Sequence, residues 1–141
     1  MSQSLSRTVT VVAIRMFGLL GLMIAGLIGY LVWAYYFAIE AERAPFSASA
    51  WQEKANVYAL SNDPGCVRAD MALDIIATEL LLGKTVAEIT QLLGEPDSTS
   101  PSSLIYELGQ CSGLGWLSSV LAIQIDTAEQ AHKTRILRVE P

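Results

Sequence analysis

The sequence is short of the residues that most chemistry requires. Among its 141 residues there is one histidine, His132, and two cysteines, Cys66 and Cys111. One imidazole and one pair of thiols cannot complete a zinc site of four nitrogen or sulfur ligands, and no other residue cluster calls for a metal or a cofactor. Basic residues are also scarce, nine against fourteen acidic ones for a net charge of −5. Such a chain has little to hold a nucleic-acid backbone. No acid precedes Glu40, and from Met16 to Ile39 there is no charge at all. No internal repeat or low-complexity tract appears.

That uncharged run, MFGLLGLMIAGLIGYLVWAYYFAI, has 24 residues. As a helix it spans about 36 Å, enough for a hydrocarbon core of about 30 Å with some tilt. A signal peptide needs an apolar core of only about 7–15 residues with a cleavage site close behind. Here the nearest small-residue site, Ala48-Ser49-Ala50, lies nine residues past Ile39, and no cysteine follows the run closely enough to form a lipobox. The expectation is an uncleaved single-pass anchor. Arg7 and Arg15 precede it, whereas residues 40–141 hold seven basic and fourteen acidic residues, a balance of −7. The positive-inside rule then leaves the N-terminus in the cytoplasm and the C-terminal part outside. Trp33, Tyr35, Tyr36 and Phe37 make an outer aromatic belt. Gly21, Ala25 and Gly29, four apart, leave a small-residue stripe that would admit a second copy of the helix.

The expected division is a cytoplasmic tail over 1–8, the anchor helix over 9–40, a juxtamembrane linker over 41–62, either extended or with helical turns, and a small domain over 63–141. Asn62-Asp63-Pro64-Gly65 marks the start of the domain. From Cys66 to Leu82, Val67, Met71, Ile75, Ile76, Leu80 and Leu82 mark one apolar stripe of an amphipathic helix that Gly83 ends. Thr85 and Glu88 form a capping box for a second helix carrying Val86, Ile89 and Leu93. Gly94 and Pro96 stop it. After a loop from Asp97 to Ser103, the period changes from 3.6 to 2 in LIYEL, VLAIQID and TRILRVE, three strands of an antiparallel meander. The fold class is α+β: a two-helix hairpin on a sheet of three or four strands.

The motifs that suggest chemistry are weak. Gly83-Lys84-Thr85 echoes the end of a phosphate loop, but Thr78 stands where the loop needs its first glycine. Cys66 and Cys111 are either a disulfide between the helix layer and the sheet or two buried thiols; an oxidising compartment favours the bridge. His132 falls in the polar run Thr127–Thr134, which reads as a turn, with no nucleophile beside it. Asp70/Asp74 and Glu95/Asp97 are spaced for paired carboxylates, yet the first pair reads as an exposed helix face and the second as a turn.

Gly83, Lys84, Thr85, Glu88, Ile89, Leu92, Leu93, Gly94, Pro96 and Asp97, followed by Tyr106, Leu108 and Gly109, resemble the motif of the SmpA/OmlA (BamE-like) family of small bacterial envelope proteins. LAIQID is similar to that family's second strand, and the resemblance covers roughly 66–140. It implies two helices on a three- or four-stranded antiparallel sheet, as in beta-lactamase inhibitor-like domains. It transfers no catalytic residue. The chain departs from the family's assembly lipoproteins in carrying an apolar span and no lipobox. The expectation is a non-enzymatic inner-membrane protein whose periplasmic domain binds another envelope protein, with Glu107, Arg135 and Arg138 as possible contacts. The alternative is a sensor of a small envelope ligand that signals through helix dimerisation.

Overall fold

The computed structural model describes residues 2–54 and 65–139. The chain divides into two compact units, Met1–Tyr36 and Phe37–Pro141. The first is one helix, α1 (Ser2–Phe37). Within it Ile14–Phe37, with a mean hydropathy of 2.0, is long and apolar enough to cross a membrane. The helix ends at Phe37 rather than at the expected residue 40, and already includes most of the expected tail.

The second unit contains α2 (Ala48–Glu53), α3 (Ala69–Ala77), α4 (Val86–Leu93), β1 (Ser98–Ser100), β2 (Ser103–Ser112), β3 (Leu117–Ile125) and β4 (Ala131–Arg138). The strands form one antiparallel sheet in the order β1-β2-β3-β4. The expected α+β class therefore holds, with four strands. Alternation places Leu104, Tyr106 and Leu108 of β2 and Leu121, Ile123 and Ile125 of β3 on one face, all buried. Met71 and Ile75 of α3, Ile89 and Leu93 of α4, and Leu81 close over them in one core. Helices and sheet make two layers.

Local chemistry sets the helix ends. At α4 the Thr85 hydroxyl accepts from the Glu88 N–H at 3.3 Å, and the Glu88 carboxylate accepts from the Thr85 N–H at 2.8 Å. This is the expected capping box. Gly94 closes the helix at φ +80°. Helix α3 is shorter than expected, ending at Ala77 instead of Leu82. Glu79 takes a left-handed φ of +52°, its N–H donates to Ile76 O, and Leu80 N–H donates to Ile75 O. That is a Schellman stop built on a glutamate. It turns Leu80 and Leu81 toward the core. Gly83 is consequently no helix cap; its N–H donates to Ala131 O at 2.7 Å, and Ala131 N–H returns to Lys84 O at 2.9 Å. The turn between α3 and α4 is thus stitched to the start of β4.

Two segments expected as loops are strands. Ser98–Ser100 folds back on Ser103–Ile105 around Pro101-Ser102. His132 lies in β4, because Asp126 builds the preceding turn by itself: its carboxylate accepts from Ala128 N–H and Gln130 N–H at 2.8 and 3.0 Å.

The expected linker takes its helical alternative in part. Residues 41–54 pack against the domain as a strap. Ala44 N–H donates to Asp70 O at 3.2 Å, and Asp74 accepts from Phe46 N–H at 2.9 Å and from Arg43 Nε at 2.7 Å. Ser47 caps α2. The Gln52 amide donates to the Gln91 and Leu92 carbonyls at the end of α4. Trp51 is fully buried, with its ring against Phe46 and Tyr106. The remainder of the expected linker, 55–62, lies outside the described residues, as do residues 62–64 of the expected start signal.

Candidate functional site

The polar centre of the domain is Arg68, which lies off the apolar stripe expected for the first helix of the domain. It is 1% exposed. Its guanidinium lies 4.7 Å over the Trp51 ring. Nε donates to Glu107 O at 2.9 Å, and one terminal nitrogen donates to both Glu107 O and the Asp97 carboxylate, the latter at 3.2 Å. The same Asp97 oxygen accepts from Glu107 N–H at 2.7 Å. Burial pushes the guanidinium below the ordinary arginine range, and Asp97 opposes that. Glu107, half-buried beside this cluster, has its carboxyl pushed up, first by burial and then by Asp97. Every donor used by Arg68 points at a carbonyl or carboxylate of this chain, so the cluster binds its own backbone.

Of the fold-motif residues Asp97 joins this cluster, whereas Gly83, Thr85 and Glu88 form the turn and cap before α4. Asp97 hands its carboxylate to Arg68 and to β2, and Pro96 precedes it where α4 has ended. The Tyr106 hydroxyl donates to Gly94 O at 3.0 Å, and burial raises its pKa to about 12. Residues 65–67 then run beside β2: Val67 N–H donates to Leu108 O and Gln110 N–H donates to Gly65 O. This crossing needs Gly109, at φ +91°, because a Cβ there would stand 2.1 Å from Gly65 O. It also brings Cys66 to Cys111, and the two are joined in a disulfide. One half of the expected pairing, helix layer to sheet, is thereby refined. Cys66 sits in a bridge beside β2 just before α3.

The echo of a phosphate loop is spent. The N–H groups of Gly83 and Thr85, which a phosphate would need, donate to Ala131 O and to Glu88. Asp70 and Asp74 do not act as a pair, since Asp74 holds the strap and Asp70 accepts from Met71 N–H. Glu95 is exposed while Asp97 is engaged by Arg68. His132 is exposed and lines, with Ile75, Ile76, Glu79 and Leu82, a depression of about 230 Å³. Sites for small molecules usually run to roughly 300–1,000 Å³.

Among the described residues no helix packs on the other face of the sheet, whose apolar side chains are half-buried or, at Ala122, buried. Register places Ile105 beside Ala122 beside Arg135, and Glu107 beside Val120 beside Leu137. Of the three expected contacts, Glu107 and Arg135 share this face, two strands apart and offset by one pair. Arg138 pairs with the buried Ser119 and belongs to the opposite alternation, with Ile136. On α1, Gly21, Ala25 and Gly29 are exposed, with open space beside both glycines.

No protein-family description matches this chain, and neither curated proteins nor solved structures yield a match to it.

Proposed function

We propose that this chain is a single-pass inner-membrane protein, N-terminus in the cytoplasm, whose periplasmic domain docks another envelope protein in an assembly or scaffold role. The observation that carries the reading is the sheet face turned away from the helices. Ile105, Val120 and Leu137, each half-buried, form an apolar strip across three strands around the buried Ala122, with Glu107 and Arg135 flanking it and Lys133 and Gln124 paired beyond. A polar-rimmed apolar patch is the usual composition of a protein interface. The disulfide supports a compartment outside the cytoplasm, and the charge balance on either side of Ile14–Phe37 supports the orientation. The resemblance to the SmpA/OmlA family supports an envelope setting.

A photo-reactive side chain in place of Leu137 should trap one defined protein in intact cells, whereas one in place of Gln91 on α4 should not. Equal trapping, or none, from both positions rejects the docking face. A small ligand that raises the melting temperature of the chain without any trapped protein would favour the sensor reading, in which α1 dimerises along Gly21, Ala25 and Gly29.

A further inference from the structure

The two ends of the sheet differ in polarity, and the apolar end is the one at which the chain comes into the domain. From Leu108 to Ile125 there is no charged residue. The middle of this stretch is the turn between β2 and β3, Gly113-Leu114-Gly115-Trp116, closed by Trp116 N–H to Gly113 O at 3.3 Å. Leu114 and Gly115 have φ of +59° and +79°. Positive φ at both central positions is the type I′ hairpin, which favours Asn, Asp or Gly first. A leucine held there is strained, and it is 44% exposed at the tip; Trp116 is 81% exposed. Neither side chain serves the core. At the far end the turns are polar: Pro101-Ser102, then Asp126 to Gln130.

Past the end of α1, four large hydrophobic residues are exposed among those described: Leu82, Leu114, Trp116 and Val139. Three of them, all but Leu82, lie at the hairpin-tip end, since Val139 N–H donates to Ser118 O next to β3's first residue. The same end receives the chain. Glu40 N–H donates to Cys111 O at 2.8 Å, two residues from the turn. Only Ala38 and Ile39 separate Glu40 from Phe37, the last residue of α1. Three residues reach at most about 10 Å. A span that ends at its aromatic belt therefore delivers this end of the domain to within about 10 Å of the headgroups.

We propose that the Leu114–Trp116 tip is a lipid-facing foot, seated in the headgroup region of the bilayer that α1 crosses. The inference rests on the anchored reading above and adds a second membrane contact to it. Tryptophan suits this layer because its ring is apolar and its N–H finds polar partners there. An uncharged, glycine-flanked hairpin brings no ionised group into it.

The full chain is reconstituted into phosphatidylcholine vesicles carrying lipids brominated near the headgroup, and tryptophan emission is read. In a Trp33→Phe chain, Trp116 should lose most of its emission to the bromolipids, shift to the blue relative to detergent-free aqueous buffer values, and resist quenching by aqueous acrylamide. Trp51, buried in the core, serves as the unquenched internal reference. A Trp33→Phe, Trp116→Ser chain should lose that quenchable component. In a Trp116→Phe chain, Trp33 reports the span alone. Quenched Trp33 with acrylamide-accessible Trp116 overturns the foot and leaves the anchor standing. Neither residue quenched overturns both.

Discussion

Trp51 tests whether residues 41–54 are a tether or part of the fold. Its side chain is fully buried in the core cluster, between Phe46, Tyr106 and the Arg68 guanidinium. Truncating a buried tryptophan to alanine costs about 3–5 kcal/mol through lost transfer energy and the cavity left behind. Removing the ring from a desolvated cation adds up to about 2 kcal/mol, partly counted already in the burial. A loss of about 4–5 kcal/mol is roughly a quarter or more of the ~5–15 kcal/mol that stabilises a typical domain. For a domain of about 100 residues it lowers the melting temperature by roughly 20 °C. Trp51→Phe separates packing from polar cost. The indole N–H is buried with no acceptor, a defect worth about 1–3 kcal/mol that phenylalanine removes. That relief offsets much of the lost volume, so the variant should fall by no more than about 2 kcal/mol. The assay is urea unfolding of the fragment 38–141 followed by circular dichroism. A Trp51→Ala midpoint equal to that of the parent would refute the strap as a folding element, and with it the placement of the domain's start before residue 63.

Reducing the Cys66–Cys111 disulfide, which closes a separation of 45 residues, should cost about 4 kcal/mol in the chain-entropy account; urea midpoints with and without reductant measure it. Glu79→Gly should stabilise by about 0.5–1 kcal/mol, because glutamate is held at φ +52° where glycine carries no Cβ penalty; an unchanged or lower melting temperature contradicts the Schellman stop. Asp74 has its carboxyl pulled below the ordinary aspartate range, chiefly by Phe46 N–H and then by Arg43. Its folded pKa is depressed, so its contribution is present above the unfolded value and lost as pH falls through the folded one. Asp74→Asn should accordingly be less stable than the parent at pH 7, with the gap closing below about pH 4 in melts run across that range.

What was legible in the sequence is what short-range chemistry decides. Thr85 and Glu88 are three residues apart, and a capping box needs nothing else; Gly94 and Pro96 then stop α4 where expected. The alternation of Leu104, Tyr106 and Leu108 identified both the strand and its buried face. The end of α3 was hidden because tertiary packing, not local preference, puts Glu79 in a left-handed turn and sends Leu81 inward. Trp51 was hidden because a single aromatic in a Ser/Ala stretch has no period, and its partners Arg68 and Tyr106 stand 17 and 55 positions away. Arg68 was unreadable for the same reason: its carboxylate partner is 29 residues distant, and its other acceptor is a backbone carbonyl. A stretch rich in polar residues, Thr127–Thr134, read as one long turn although Asp126 completes the turn early and leaves His132 in a strand.

The buried Arg68 bears on how this small domain is held in one arrangement. Taking a guanidinium out of water costs several kcal/mol, and one carboxylate with 31% of its side chain exposed does not plainly return it. Its effect is better sought in specificity than in stability. The guanidinium ties three segments that are distant in sequence: the start of α3, the turn after α4 that holds Asp97, and the irregular part of β2 at Glu107. Only with β2 in that register does Gly109 meet Gly65 and Cys66 meet Cys111. The strap closes over the same point through Trp51. Such a domain spends its interior polar groups on fixing its own register. The two surfaces proposed for contacts outside it, the sheet face around Val120 and Leu137 and the hairpin tip at Leu114 and Trp116, take no part in this network.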